Sequence, residues 1–144
     1  MPPALRKDPL SSFNVRVDID GVAVAAFTEC SGLASETEVV SYREGTDLKV
    51  RKLPGLTKFS NIVLKRGITA DRSLWEWRVS VVNGNIQRKN GSVILLDATH
   101  TPIVRWNFFE AWPAKWEGPT LNATSSEVAI ETLELAHEGL EWVS

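Results

Sequence analysis

Eight residues near the start restrict the fold most. From Phe13 to Asp20 the chain alternates without a break, Phe13, Val15, Val17 and Ile19 apolar against Asn14, Arg16, Asp18 and Asp20 polar. Period two is the mark of a strand with one wet face and one buried face. Asp20-Gly21 follows, a turn pair whose residues tolerate positive φ, so Val22 to Cys30 is expected to return as the hairpin partner. A half-buried hairpin commits the chain to an antiparallel sheet that must find a second apolar layer.

The segments downstream agree. Ser35 to Tyr42 reads as a strand with Thr37 and Val39 on one side and Glu36 and Glu38 on the other. Phe59 to Lys65 reads as another, Ile62 and Leu64 opposite Phe59, Asn61, Val63 and Lys65. Asn90-Gly91 marks a hairpin joining a short strand, Ile86 to Lys89, to Ser92–Asp97, and Ile103 to Glu110 alternates after the Thr99–Pro102 turn. Two segments are ambiguous. Trp75, Trp77, Val79 and Val81 alternate as a strand would, yet Ser73 with Glu76 fits a capping box and Asn83-Gly84 a helix C-cap. Glu127 to His137 slips phase between Ile130 and Leu133, as a bulged strand or a helix would. Met1 to Ser12, with three prolines and no periodicity, is expected to be an arm. Residues 13–144 suit one domain with a real core. The fold class expected is a mainly antiparallel β-sandwich or barrel with one α-helix.

Charge and motif content remove several function classes. With 16 basic against 18 acidic residues, the chain lacks the basic excess of a dedicated nucleic-acid binder. A single cysteine, Cys30, allows no internal disulfide and fits a reducing compartment. The first residues form no secretory h-region, and no stretch approaches the roughly 18 apolar residues of a membrane helix. A cytosolic product without a membrane anchor is expected. His100 and His137 have no spaced partner, and no HExxH, CxxC, G-x-S-x-G or phosphate-cradling glycine loop occurs. Glu36 and Glu38 lie two apart on a strand face, a spacing that a solvated acidic stripe explains better than catalysis. No catalytic residue, metal site or cofactor is expected.

The unusual stretch is Gly45 to Lys58. It reads as a basic loop carrying Lys49, Arg51, Lys52 and Lys58, with Pro54-Gly55 as its turning point. Most connections in compact domains have about 4–6 residues, and longer ones are functional or disordered. Leu48, Val50, Leu53 and Leu56 argue against plain disorder, which is poor in such side chains. Aromatics for base stacking are not interleaved with the cations. The stretch therefore reads as a docking element for an acidic surface on another chain, against the plainer alternative of a solvated excursion. Trp106, Trp112 and Trp116 supply core, with Pro113 and Pro119 nearby allowing an interface role for some of them.

Six blocks carry a resemblance to a known family. They are SYREGTD at Ser41–Asp47, RKLPGLTKFSNIVLKRGIT at Arg51–Thr69, LWEW at Leu74–Trp77, RKNGSVILLD at Arg88–Asp97, RWNFFEAWPAKWEGP at Arg105–Pro119 and LNATSSEVAIETLELAHEGLEW at Leu121–Trp142. In this order, preceded by DPLSSFNVRVDIDGVAVAAFTECSGL at Asp8–Leu33, they resemble the tail tube protein family of contractile phages. The same family supplies inner tubes of phage-tail-like contractile injection systems. The likeness covers essentially the whole chain; Cys30 beside the Ser-Gly-Leu turn and a slightly extended helix segment are minor departures.

The resemblance implies a helix at Arg72–Asn83 and a strand at Glu127–His137. It further implies homo-hexameric rings, sheet joined to sheet around a lumen, stacked into a tube inside a contractile sheath. The partners implied are the sheath protein, baseplate or tube-initiator and tube-terminator proteins, and a passing cargo of DNA or protein effector. The particle implied is a phage virion or an injection device, assembled in the cytoplasm. On this reading Lys49, Val50, Arg51, Lys52, Leu53, Pro54, Gly55 and Leu56 are the expected contact between rings or subunits. Pairing of the Ser35–Tyr42 strand with Phe59–Lys65 would turn Thr37 and Val39 to the core and Glu36 and Glu38 to the lumen. The alternatives are a first-ring tube adaptor or a stand-alone β-barrel binding module.

Overall fold

The computed structural model describes residues 14–20, 22–124 and 128–143. The expected arm, Met1 to Ser12, lies outside them, as do Phe13 and the turn residue Gly21. In chain order the elements are β1 (Asn14–Ile19), β2 (Val22–Phe27), β3 (Glu29–Ser31), β4 (Ser35–Tyr42), β5 (Arg51–Phe59) and β6 (Ile62–Gly67). Then come α1 (Ser73–Val82), β7 (Lys89–Leu96), β8 (Pro102–Glu117), β9 (Ile130–Ala136) and β10 (Gly139–Trp142). This is the mainly antiparallel β fold with one helix that the sequence led us to expect.

One sheet runs β2-β1-β7-β8-β9-β6-β3, and it turns a corner inside β8. The first part of β8 pairs with β7 and, through Trp106–Phe109, with β10, while its last part pairs with β9. At the corner Glu110 adopts φ 54° and the β7 register shifts. Such a residue is costly unless its surroundings hold it. Asn90 Oδ1 does so, accepting the Glu110 N–H at 3.0 Å. Gly91 next to it leaves the space for Phe108, since a Cβ there would stand 2.4 Å from Phe108 Cζ and 2.5 Å from the Asp18 carbonyl oxygen. Asn90-Gly91 is therefore not a hairpin turn. It lies inside β7, and the expected strand at Ile86–Lys89 is loop except for Lys89.

Val17, Ile19, Val93 and Phe108 from one side of the corner share a core with Ile62, Leu64, Leu133 and Leu135 from the other. Leu74 and Trp77 of α1 join it. The helix stops in a Schellman motif, Asn85 N–H to Ser80 C=O at 2.8 Å and Gly84 N–H to Val81 C=O at 3.0 Å, with Gly84 at φ 83°. At its start the capping box does not form; Asp71 Oδ1 accepts the Ser73 N–H at 3.0 Å instead. The Val22–Cys30 return strand divides, β2 pairing with β1 and β3 crossing to β6. The phase slip near residue 130 has a different cause from a bulge in β9, which pairs with β6 in unbroken register. Glu131 takes an inward position, buried beside Arg66, and the shift against β8 falls at Pro113–Lys115.

Candidate functional site

Only the first part of the Gly45–Lys58 stretch, Gly45 to Val50, is loop. Arg51 to Phe59 forms β5, which pairs with β4 from Ser35↔Phe59 out to Tyr42↔Arg51. The chain reverses between Tyr42 and Arg51, so Pro54-Gly55 is mid-strand and not the turning point. Nor does β4 pair with the following strand: β6 begins at Ile62 and pairs with β3 and β9. The ribbon is a separate two-stranded sheet, and every residue of β4 is exposed, as is every residue of β5 but Phe59. Thr37 and Val39, expected in the core, are exposed, Val39 at 62%.

Register sorts the side chains into two faces. Thr37 and Thr57 share one, their hydroxyls 2.9 Å apart. Glu36 and Lys58 share the other, 4.0 Å apart, and Val40 and Leu53 are cross-strand partners on that same side. A shift between Thr37 and Val39 places one extra residue in β5. It falls at Gly55–Leu56, where a Cβ on Gly55 would stand 3.0 Å from Val40 Cγ2. Glu36 and Glu38 line a concavity of about 400 Å³ with Leu56, Thr57 and Lys58. Lys49 and Val50 sit in the reversal, organised by Asp47, whose carboxylate accepts Lys49 N–H at 3.1 Å and Arg51 Nε at 3.2 Å. Leu48 there is 95% exposed and Leu56 80%, with no apolar layer beneath either face of the ribbon among the described residues.

The ribbon's root is anchored by residues that motif reading passed over. His137 is buried, with Nε2 2.9 Å from the Ser60 carbonyl oxygen and Nδ1 3.0 Å from that of Gly139. Its ring lies 5.7 Å from that of Phe59, the last residue of β5. Gly32, at φ 86°, passes so close to Asn61 that a Cβ would sit 2.0 Å from the Asn61 carbonyl oxygen. No sequence signal distinguishes His137 from a surface histidine, because the Ser60 carbonyl and the Phe59 ring that hold it come from a segment 77 residues away. At the other end of β6, Arg66 and Glu131 form a buried ion pair, Trp116 Nε1 donates to Glu131 Oε2 at 3.2 Å, and Asp71 lies 3.7 Å from Arg66.

Among the described residues no group of three or more His, Cys, Asp or Glu side chains could hold a metal ion, and no helix is long and apolar enough to cross a membrane. Burial, with Glu29 adding to it, pushes the Cys30 thiol up to about 12, the opposite of what a nucleophile needs. What the geometry offers is a surface: a ribbon with apolar and basic side chains that none of the described residues buries.

The fold is shared with solved contractile injection assemblies. A chain in the cryo-EM structure of the anti-feeding prophage (AFP) baseplate, 6-fold symmetrised, superposes at TM-score 0.84 with 26% identity, over 96% of this chain and 98% of its own. A chain of the extended sheath–tube complex of PVC, an extracellular contractile injection system, gives TM-score 0.85 at 23% identity over 94% and 92%. Hcp1 from Flavobacterium johnsoniae shares the fold more loosely, TM-score 0.62 at 17% identity over 90% and 94%. Comparison with curated protein sequences gives no match. The model of the T4-like virus tail tube protein gp19 family matches residues 11–141, and the chain belongs to that family as a structural subunit of a tail tube.

Proposed function

We propose that the subunit closes into hexameric rings that stack into the inner tube of a contractile particle, with the β4–β5 ribbon as the contact between successive rings. The observation that carries this is the ribbon's exposure on both faces. Val39, Leu48, Val50, Leu53 and Leu56 are between 48% and 95% exposed, apolar area spread over both faces of a two-stranded sheet that would be marginal alone. A second chain laid against it removes that surface from water. Lys49, Arg51 and Lys52 then set register and encounter rate more than strength.

Free strand edges support the ring. Among the described strands the main sheet ends at β2 and β3, with β10 beside β8, and such edges in a lone subunit are templates for pairing with another copy. Neighbouring subunits joined edge to edge close a barrel around a lumen. Glu36 and Glu38, near the ribbon's root, are offered to the channel, where they favour passage of an acidic cargo such as DNA or a protein effector without adsorption. The likenesses to chains from an AFP baseplate, an AFP tube-terminating cap and a PVC sheath–tube complex support sheath, baseplate and terminator proteins as partners. Assembly in the cytoplasm, from a reduced subunit, fits the lone Cys30.

The decisive experiment removes the ribbon. Ser35 and Phe59 are cross-strand partners, so a short Gly/Ser turn can replace 36–58 between them. The shortened protein is expected to keep its far-UV circular dichroism and to form no long tubes by negative-stain microscopy. Tubes of normal length and stability would show the ribbon to be surface decoration.

A further inference from the structure

The proposed ring contact leaves the ribbon's seat unassigned, and register supplies a place for it. The ribbon leaves the body beside Ile62, where β6 pairs with Leu135 of β9 and with Val63↔Ser31 of β3. At the opposite end of these strands, where Gly67 meets Ile130 and Lys65 meets Glu29, lies a concavity of about 450 Å³. The two places are separated by one strand length, roughly 20 Å for six residues. A projection at one end of a strand group and a hollow at the other is the arrangement that a head-to-tail interface needs, and such an interface repeats into an open stack.

The hollow also matches the ribbon's tip in chemistry. Glu29 and Glu117 stand on its wall, each beside a solvent-accessible lysine, Lys65 at 3.6 Å from Glu29 and Lys115 at 3.6 Å from Glu117, so that an incoming cation can share either carboxylate. Val128 and Ile130 give it apolar floor, Val128 being 75% exposed in the lone subunit. The tip carries Arg43, Lys49, Arg51 and Lys52 against Glu44 and Asp47, with Leu48 and Val50 to bury. A second cleft at this end, lined by Ile68, Trp75 and Trp116, carries Asp71 and Glu131 beside Arg72, but both carboxylates are already held by the buried Arg66. Resting on the ring-contact reading above, we propose that the ribbon tip of one copy seats in the hollow between Glu29, Glu117, Val128 and Ile130 of the copy in the next ring. Leu48 and Val50 cover Val128 and Ile130 there, and Lys49 and Lys52 face the two carboxylates.

Disulfide cross-linking in assembled tubes tests the seat. In a Cys30→Ser background, Val50→Cys is combined with Val128→Cys, each single variant serving as control. Oxidised tubes of the double variant are expected to run as a ladder of covalent multimers on denaturing gels, with single variants and unassembled subunits monomeric. Cross-linking of Val50→Cys to Trp75→Cys in its place would move the tip to the other cleft, overturning the seat while keeping the ring contact. Normal tubes from the ribbon-excised protein would overturn both. Should the cysteine variants not assemble, hydrogen exchange on the wild-type protein decides. Assembly is expected to protect the amides of Gly118, Thr120, Val128 and Ala129 together with those of the ribbon tip; protection of the tip without these would overturn the seat.

Discussion

Removing one partner of the Arg66–Glu131 pair should cost far more than removing both. The two are cross-strand partners on β6 and β9, with side chains only 6% and 5% exposed. Arg66 Nε donates to Glu131, and Trp116 Nε1 donates to the second carboxylate oxygen at 3.2 Å. Glu131→Ala leaves the guanidinium with Asp71 at 3.7 Å, itself partly exposed, and the Phe27 ring at 5.6 Å. Nη2 already lacks a hydrogen-bond partner among the described residues, which leaves the site short of acceptors. A buried charge stranded in this way costs about 3–5 kcal/mol. For a chain of 144 residues, at about 2.1 cal/mol/K of unfolding entropy per residue, that is a fall in Tm of roughly 10–17 °C. Arg66→Met with Glu131→Leu removes both charges and keeps apolar volume, and should lie within about 1 kcal/mol of the wild type. The assay is thermal and urea unfolding followed by circular dichroism at concentrations where the subunit is unassembled. Equal destabilisation in the single and double variants would refute the reasoning, because the loss would then be one of packing and not of a stranded charge.

Two further outcomes are expected. Gly91→Ala should destabilise by about 1–3 kcal/mol or more, since overpacking at this crossing meets a backbone oxygen that cannot rotate away, Asp18 O at 2.5 Å from the new Cβ; an unfolding midpoint equal to that of the wild type would show that β1 and β8 can move apart freely. Cys30, with its thiol pushed up to about 12 by burial and Glu29, should react with a disulfide reagent at pH 8 on the order of a hundredfold more slowly in the folded subunit than in urea, and comparable rates would contradict its burial.

Where burial is internal, pattern alone was enough. Asn14 to Ile19 alternates because β1 has a core side and a wet side, and Val17 and Ile19 are on the core side. Ile62 and Leu64 were separable from their neighbours for the same reason, and Asn83-Gly84 ends α1 because the left-handed residue of its cap is local chemistry. Six ordered blocks of residues were enough to bring the family into view. Other features depended on partners far along the chain. Asn90-Gly91 is a turn pair by composition, yet Asp18, Phe108 and Glu110 make it the fitting of a strand corner. Glu131 breaks the apolar phase of β9 because Arg66, 65 residues away, is there to receive it. The ribbon is the clearest case. Arg51 to Phe59 has no period because neither of its faces meets a core among the described residues, so by composition a strand reads as a basic loop. Hydrophobic periodicity records burial against a chain's own interior; a segment with no such burial carries no period, and only the paired backbone shows that it is a strand.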